Sequence, residues 1–132
     1  MKLNILTPTK KLLMNVEVEE LFAIGPKGEL NLLNSHSQFV SKLETGMVKW
    51  KDSSGSWDSA AISVGYLEVD KDTISILAET GELKAQIDIE RAKNAEQRSR
   101  KLLDVGGLND DDLRKNELKL QRALARQMAT RV

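Results

Sequence analysis

Apolar and polar positions alternate in short runs through the first two thirds of the chain, then change period. Residues 3–6, 12–18 leading into 19–24, 29–33, 39–43, 47–51, 57–62, 66–69 and 73–78 read as strands. Turn chemistry separates them. Thr7-Pro8 ends the first, and Gly25-Pro26-Lys27-Gly28 is a turn in which proline presets φ and glycine supplies the unusual angles. Asn34-Ser35-His36-Ser37 is a polar bend, while Asp52-Ser53-Ser54-Gly55 and Asp70-Lys71-Asp72 read as hairpin loops. Short strands at such close spacing predict an antiparallel sandwich or barrel over residues 1–84.

At Thr80-Gly81 the texture changes. From Asp88 onward proline is absent, and Ala, Glu, Lys, Arg, Gln and Leu dominate. Asp88 is a good N-cap, Gly106-Gly107 breaks the helical pattern, and Asn109 with Asp110, Asp111 and Asp112 opens a second helix. The prediction over residues 85–132 is an antiparallel two-helix hairpin, so the fold class is α+β, mainly β. Helix two shows a stripe of Leu113, Leu120, Leu124 and Met128; helix one answers with Ala92, Ala95, Leu102 and Leu103. A large buried side chain contributes only about 1.5–3 kcal/mol. Two thin stripes packed on each other leave little to fasten the hairpin to the sandwich, which permits a moving part.

Composition changes this picture in one respect. The formal net charge is zero, and nothing in it asks for nucleic acid. Residues 1–84, however, hold nine lysines and no arginine against twelve acids, a net charge of −3. Residues 85–132 hold four lysines and seven arginines against eight acids, a net charge of +3. Every arginine lies in the last third, and arginine's planar fork suits phosphate and carboxylate. On helix one, Asp88, Arg91, Ala95 and Arg98 share a face; on helix two, Arg122 and Arg126 do. If the helices fold back on each other, four guanidinium groups surround one anion, a plausible nucleoside triphosphate site. The plainer reading is a solvated helix pair whose arginines meet Glu90, Glu96 or Glu117.

Other chemistry is thin. The absence of cysteine excludes disulfides, thiolate zinc sites and cysteine catalysis. No apolar run approaches membrane-spanning length and no signal peptide opens the chain, so the expectation is a protein on the cytosolic side. His36 is the lone histidine and reads as a turn or interface residue. Asp110–Asp112 reads as a helix start rather than a calcium loop, and Trp50 and Trp57 as core or hairpin partners. No catalytic and no metal-binding residues are expected.

Several fragments then carry a family likeness. Gly28-Glu29-Leu30 with His36, Thr45-Gly46-Met47-Val48, and Ser63-Val64-Gly65-Tyr66-Leu67-Glu68-Val69 resemble, in order and spacing, segments of the epsilon subunits of bacterial F-type ATP synthases. The likeness runs nearly end to end and implies a sandwich of about ten strands followed by a helical hairpin. Ile87-Asp88-x-x-Arg91-Ala92 resembles the signature of those epsilon subunits that bind ATP. Glu82, Arg98, Arg122 and Arg126 match that group's outlying contacts.

The resemblance implies a non-catalytic rotor subunit, peripheral to the cytoplasmic face of the bacterial membrane and not a homo-oligomer. Its sandwich would meet the gamma subunit and the c-ring around Gly28, Glu29 and His36. Its hairpin would reach an acidic β-subunit segment of the catalytic alpha/beta hexamer and restrain ATP hydrolysis, with ATP favouring the compact form. Glu82 and Asp88 would accept from the adenine amino group and the arginines would hold the phosphates. No glycine-rich loop runs into Gly-Lys-Ser/Thr, so the site reads as a sensor rather than a hydrolase. Departures from the family are Asn34-Ser35-His36 at its Pro-Gly-His bend, Val64-Gly65 at its double glycine, and the turn Val105-Gly106-Gly107. The alternative is an adaptor whose basic hairpin binds an acidic protein without nucleotide.

Overall fold

The computed structural model describes residues 1–34 and 38–132. Nine strands lie among the described residues: β1 (Lys2–Leu6), β2 (Lys11–Gly25), β3 (Gly28–Leu33), β4 (Phe39–Leu43), β5 (Gly46–Asp52), β6 (Trp57–Ile62), β7 (Gly65–Asp70), β8 (Thr73–Ala78) and β9 (Gly81–Leu83). A single 3-10 turn, Lys84–Gln86, leads to α1 (Ile89–Val105) and α2 (Asp110–Thr130). The strands form two layers. One runs β4-β7-β8-β1-β2; the other places β2 between β3 and β5 and continues through β6 to β9.

Strand β2 belongs to both layers. The alternation of residues 12–24 predicts two consecutive strands, yet they form one strand of 15 residues. Its first half pairs with β1 and its second with β3 and β5. A change of direction is built in at Asn15, which sits at φ 54° and donates its N–H to the Asn4 side chain at 2.7 Å. A register shift between Val18 and Glu20 adds to it. Among the described residues the pairing is antiparallel except for β1 against β8, which run parallel. The short β9 carries no alternation long enough to be read beforehand, and it pairs with β6 by register alone.

The core lies between the layers. Leu3 and Ile5, Leu21, Val48 and Trp50, Leu67, and Ile74 and Ile76 are all buried there. Trp50 is therefore a core residue. Trp57 is half exposed on the outside, its ring 5.9 Å from that of Phe22, with the Lys49 ammonium over both.

The outer face of β5 and β6 is covered by α2. Ser59 to Ile62 are all buried, because alternate residues face the core and the helix. The helix contact is made of small side chains: Ala61, Ala125 and Ala129, with Met47 and Ile87 packed beside them. Ser59 Oγ donates to the Ala129 carbonyl at 2.6 Å in a buried hydrogen bond, and Lys84 Nζ donates to the Val132 carbonyl.

This corrects the expected stripe of helix two. Leu113 and Met128 are exposed and Leu120 and Leu124 only half buried, whereas Asn116, Ala123, Ala125, Gln127 and Ala129 are buried. Small residues let α2 approach the sheet and α1 closely; leucines at those positions would hold the backbones apart. The expected consequence stands: little large apolar surface joins hairpin to sandwich.

Candidate functional site

Asp88 is the N-cap of α1, its side chain accepting from the Arg91 amide at 3.1 Å. That fixes the start of the helix and hence the face presented by Arg91, Ala95 and Arg98. At the other end of the hairpin, Asn109 caps α2 by accepting from the Asp112 amide at 2.8 Å, and Asp110, Asp111 and Asp112 fill its first turn. The two glycines between the helices sit at φ 75°, a left-handed conformation natural to glycine.

Where β9, α1 and α2 meet, a cavity of about 350 Å³ is lined by Glu82, Gln86, Asp88, Arg91, Ala92, Ala95, Arg98 and Arg126. The docking of α2 on the sandwich thus brings together six of the eight positions singled out from the sequence. Ile87 is not among the lining residues; it packs against Ala61, Ala125 and Ala129 and helps fasten the hairpin. Arg122 faces two neighbouring spaces. One is a narrow slot beside Ser63, Thr80 and Gly81; the other is a groove of about 460 Å³ between the helices. That groove also carries Ala95, Arg98, Ser99, Leu102, Asn116, Lys119 and Arg126.

Electrostatics differ across the site. Arg126 Nε donates to Glu82 Oε1 at 2.6 Å, a charge-assisted bond tying α2 to β9 with both side chains about a third exposed. Among the described residues, neither Arg91, Arg98 nor Arg122 lies within ion-pair distance of a carboxylate. Arg122 Nε is buried without a hydrogen-bond partner. Of the acids proposed to neutralise a solvated hairpin, only Glu96 does so, with Arg100. Four residues escaped the sequence reading: Gln86, Ser99, Asn116 and Lys119. Lys119 had a signal, since it precedes Arg122 by three and so lies on the same helix face.

Glu96 also joins the helices. Its Oε1 accepts from Gln127 Nε2 at 2.7 Å and its Oε2 from Arg100 Nε at 2.9 Å. The bond from Gln127, then that from Arg100, hold the Glu96 carboxyl below the usual carboxylate range despite some desolvation. A carboxylate whose folded pKa is depressed stabilises the contact fully above its unfolded pKa. That contribution is lost as pH falls through the folded value. The α1–α2 contact is therefore expected to loosen only on acidification below the ordinary glutamate range. Glu96→Gln should flatten that acid limb of a hairpin-specific titration, read from amide exchange in α1.

Gly28 and Glu29 lie exposed at the tip of the β2–β3 hairpin, Gly28 at φ 118°. His36, grouped with them from the sequence, falls outside the described residues. Among the described residues no cluster of three or more metal-ligating side chains occurs, and no helix is long and apolar enough to cross a membrane.

Fold and site together define a β-sandwich that carries a docked two-helix hairpin with an arginine-rich seam. The sandwich, residues 1–84, matches the family described as "ATP synthase, Delta/Epsilon chain, beta-sandwich domain". Among characterised relatives, the ATP synthase epsilon chain of Geobacter sulfurreducens is 39% identical over 126 residues, covering 96% of this chain and 90% of that one. The epsilon chain of Bacillus pumilus is 37% identical over 125 residues, covering 95% and 92%. A subunit in the Euglena gracilis mitochondrial ATP synthase (OSCP, F1 and c-ring) superposes with a TM-score of 0.83 at 19% identity, over 98% of this chain and 80% of that one. The chain belongs to the family of ATP synthase epsilon chains, non-catalytic subunits of that complex.

Proposed function

We propose that this chain is a central-stalk rotor subunit whose hairpin is held compact by bound ATP and restrains ATP hydrolysis when extended. The observation that carries the regulatory part is where the lining residues come from. Glu82 belongs to the sandwich, Asp88, Arg91, Ala92 and Arg98 to α1 and its cap, and Arg126 to α2, yet all line one cavity. A site assembled from three elements exists only while they are docked. Its ligand therefore stabilises the docked form, by about 2.7 kcal/mol at a hundred times the dissociation constant. That is large against a contact made mainly of alanines.

In this reading the carboxylates of Glu82 and Asp88 accept from the adenine amino group, and the guanidinium groups of Arg91, Arg98, Arg122 and Arg126 hold the phosphates. Guanine presents a carbonyl acceptor at the equivalent position, so ATP is preferred to GTP. The sandwich attaches to the gamma subunit and to the c-ring, the latter through the exposed tip at Gly28 and Glu29, with His36 nearby in sequence. An apolar groove including Leu43, Val64, Tyr66 and Leu77 offers a further protein-binding face. The extended hairpin places its basic residues against an acidic segment of the catalytic alpha/beta hexamer. The complex holds the subunit at the cytoplasmic face of the bacterial cell membrane. Membership of the epsilon family displaces the free-standing adaptor considered from the sequence.

Calorimetric titration of the full chain with ATP is the test. Binding is expected, and Arg122→Ala should weaken it by about tenfold or more, the value of a lost charge-assisted hydrogen bond. Equal affinity in both proteins, or none in either, removes the sensor role and leaves the stalk role standing.

A further inference from the structure

The cavity at the sandwich and the groove between the helices meet along Ala95, Arg98 and Arg126 but differ in chemistry. The cavity sets three arginines against the carboxylates of Glu82 and Asp88, with the Gln86 amide beside them. The groove holds Arg98, Lys119, Arg122 and Arg126, has no carboxylate in its lining, and adds the buried polar side chains of Ser99 and Asn116. A ligand with a neutral, hydrogen-bonding head and an anionic tail fits this pair of spaces in one direction only. Its base faces the carboxylates of Glu82 and Asp88, and its phosphates start at the arginines of the cavity and run on into the groove, away from those carboxylates.

Along α2 the cations follow one another away from the sandwich as Arg126, Arg122 and Lys119. At 1.5 Å per residue, Lys119 stands about 10 Å beyond Arg126 on the helix axis. Arg126 is already engaged by Glu82, whereas among the described residues Arg98, Lys119 and Arg122 have no carboxylate within ion-pair distance. The Arg122 Nε is shut away from solvent with nothing accepting from it.

We infer that Lys119 is a ligand to the terminal phosphate and makes the site prefer a nucleoside triphosphate to a diphosphate. This rests on the nucleotide reading above and adds the residue that counts phosphates. Of the cations in the groove, Lys119 stands farthest along α2 from Arg126 and its partner Glu82, so the phosphate farthest from the base is the one set against it. A lysine suits this place, because its flexible point charge at the open end needs no bidentate geometry.

The experiment titrates the full chain with ATP and with ADP, using the native sequence, Lys119→Ala, Lys119→Arg and Lys115→Ala. Lys115 is exposed on the same helix but does not line the groove, so it reports the general effect of removing one charge. Lys119→Ala should weaken ATP by about tenfold and leave ADP within about twofold, Lys119→Arg should restore the preference, and Lys115→Ala should change neither. The inference is overturned if Lys119→Ala keeps the native ratio of ATP to ADP affinity, or if Lys115→Ala weakens ATP equally. Failure of the native chain to bind ATP at all would instead overturn the nucleotide reading on which it stands.

Discussion

Gly65→Ala is expected to unfold the sandwich under conditions where the native chain is intact. A Cβ built at Gly65 would stand 2.0 Å from the Leu77 carbonyl oxygen, 2.8 Å from Ala78 Cα and 2.9 Å from the Leu77 carbonyl carbon. These are backbone atoms, so no change of rotamer relieves the overlap. Gly65 opens β7 and pairs with Ala78 of β8 on one side and with Leu43 of β4 on the other. The added methyl can be housed only by moving β8 away from β7, and β8 carries the core residues Ile74 and Ile76. Overpacking of this kind costs about 1–3 kcal/mol where side chains can yield, and a backbone clash belongs at or above the upper end. The denaturation midpoint should fall accordingly. Val64→Ala, next door at a position 37% exposed, should stay within about 0.5 kcal/mol of the native chain. Equal midpoints for Gly65→Ala and Val64→Ala would refute the packing argument.

The same pair of residues shows what could be read beforehand. The family's double glycine is Val64-Gly65 here; a Cβ at the second position would meet backbone, whereas the Val64 side chain is exposed, so valine at the first is accommodated. Local signals were legible because they act locally. Proline and glycine placed the β2–β3 turn, Asp88 and Asn109 capped the helices, and Gly106 and Gly107 separated them. What alternation cannot encode is which layer a strand joins, so the single strand β2 shared by both layers read as two strands.

Helix faces posed a similar difficulty. A stripe of leucines marks apolar content, but close approach selects small residues, so Ala123, Ala125 and Ala129 face inward while Leu113 stays outside. The arginine seam was legible by spacing within each helix. Its completion by Glu82 depended on β9 pairing with β6, a long-range contact with no local signature; the family likeness supplied that residue. Lys119 had the right spacing but no motif to draw attention to it.

Ala129→Leu should release the hairpin while leaving the sandwich folded. Ala129 has no exposed surface and packs with Ala125 against Ala61, and its carbonyl accepts the buried hydrogen bond from Ser59. Three further carbons at this point must push α2 off the outer face of β5 and β6, at a cost of about 2–3 kcal/mol. Opposing that is a contact of small side chains, the Ser59 bond, the Lys84–Val132 bond and the Glu82–Arg126 pair. The last of these is partly exposed and contributes about 1 kcal/mol at most. The core between the layers is untouched, so the change falls on the docking equilibrium.

Hydrogen exchange separates the two units, because local opening and global unfolding expose different amides. In Ala129→Leu, amides of α1 and α2 should exchange roughly thirtyfold to a hundredfold faster, while those of β1, β7 and β8 keep their native protection. If ATP binds only the docked form, ATP at about a hundred times its dissociation constant should return about 2.7 kcal/mol and restore most of the lost protection. Native protection of the helices in Ala129→Leu would mean that the alanine contact does not hold the hairpin. Lost protection that ATP fails to restore would separate docking from nucleotide binding, because a ligand with equal affinity for both forms shifts neither.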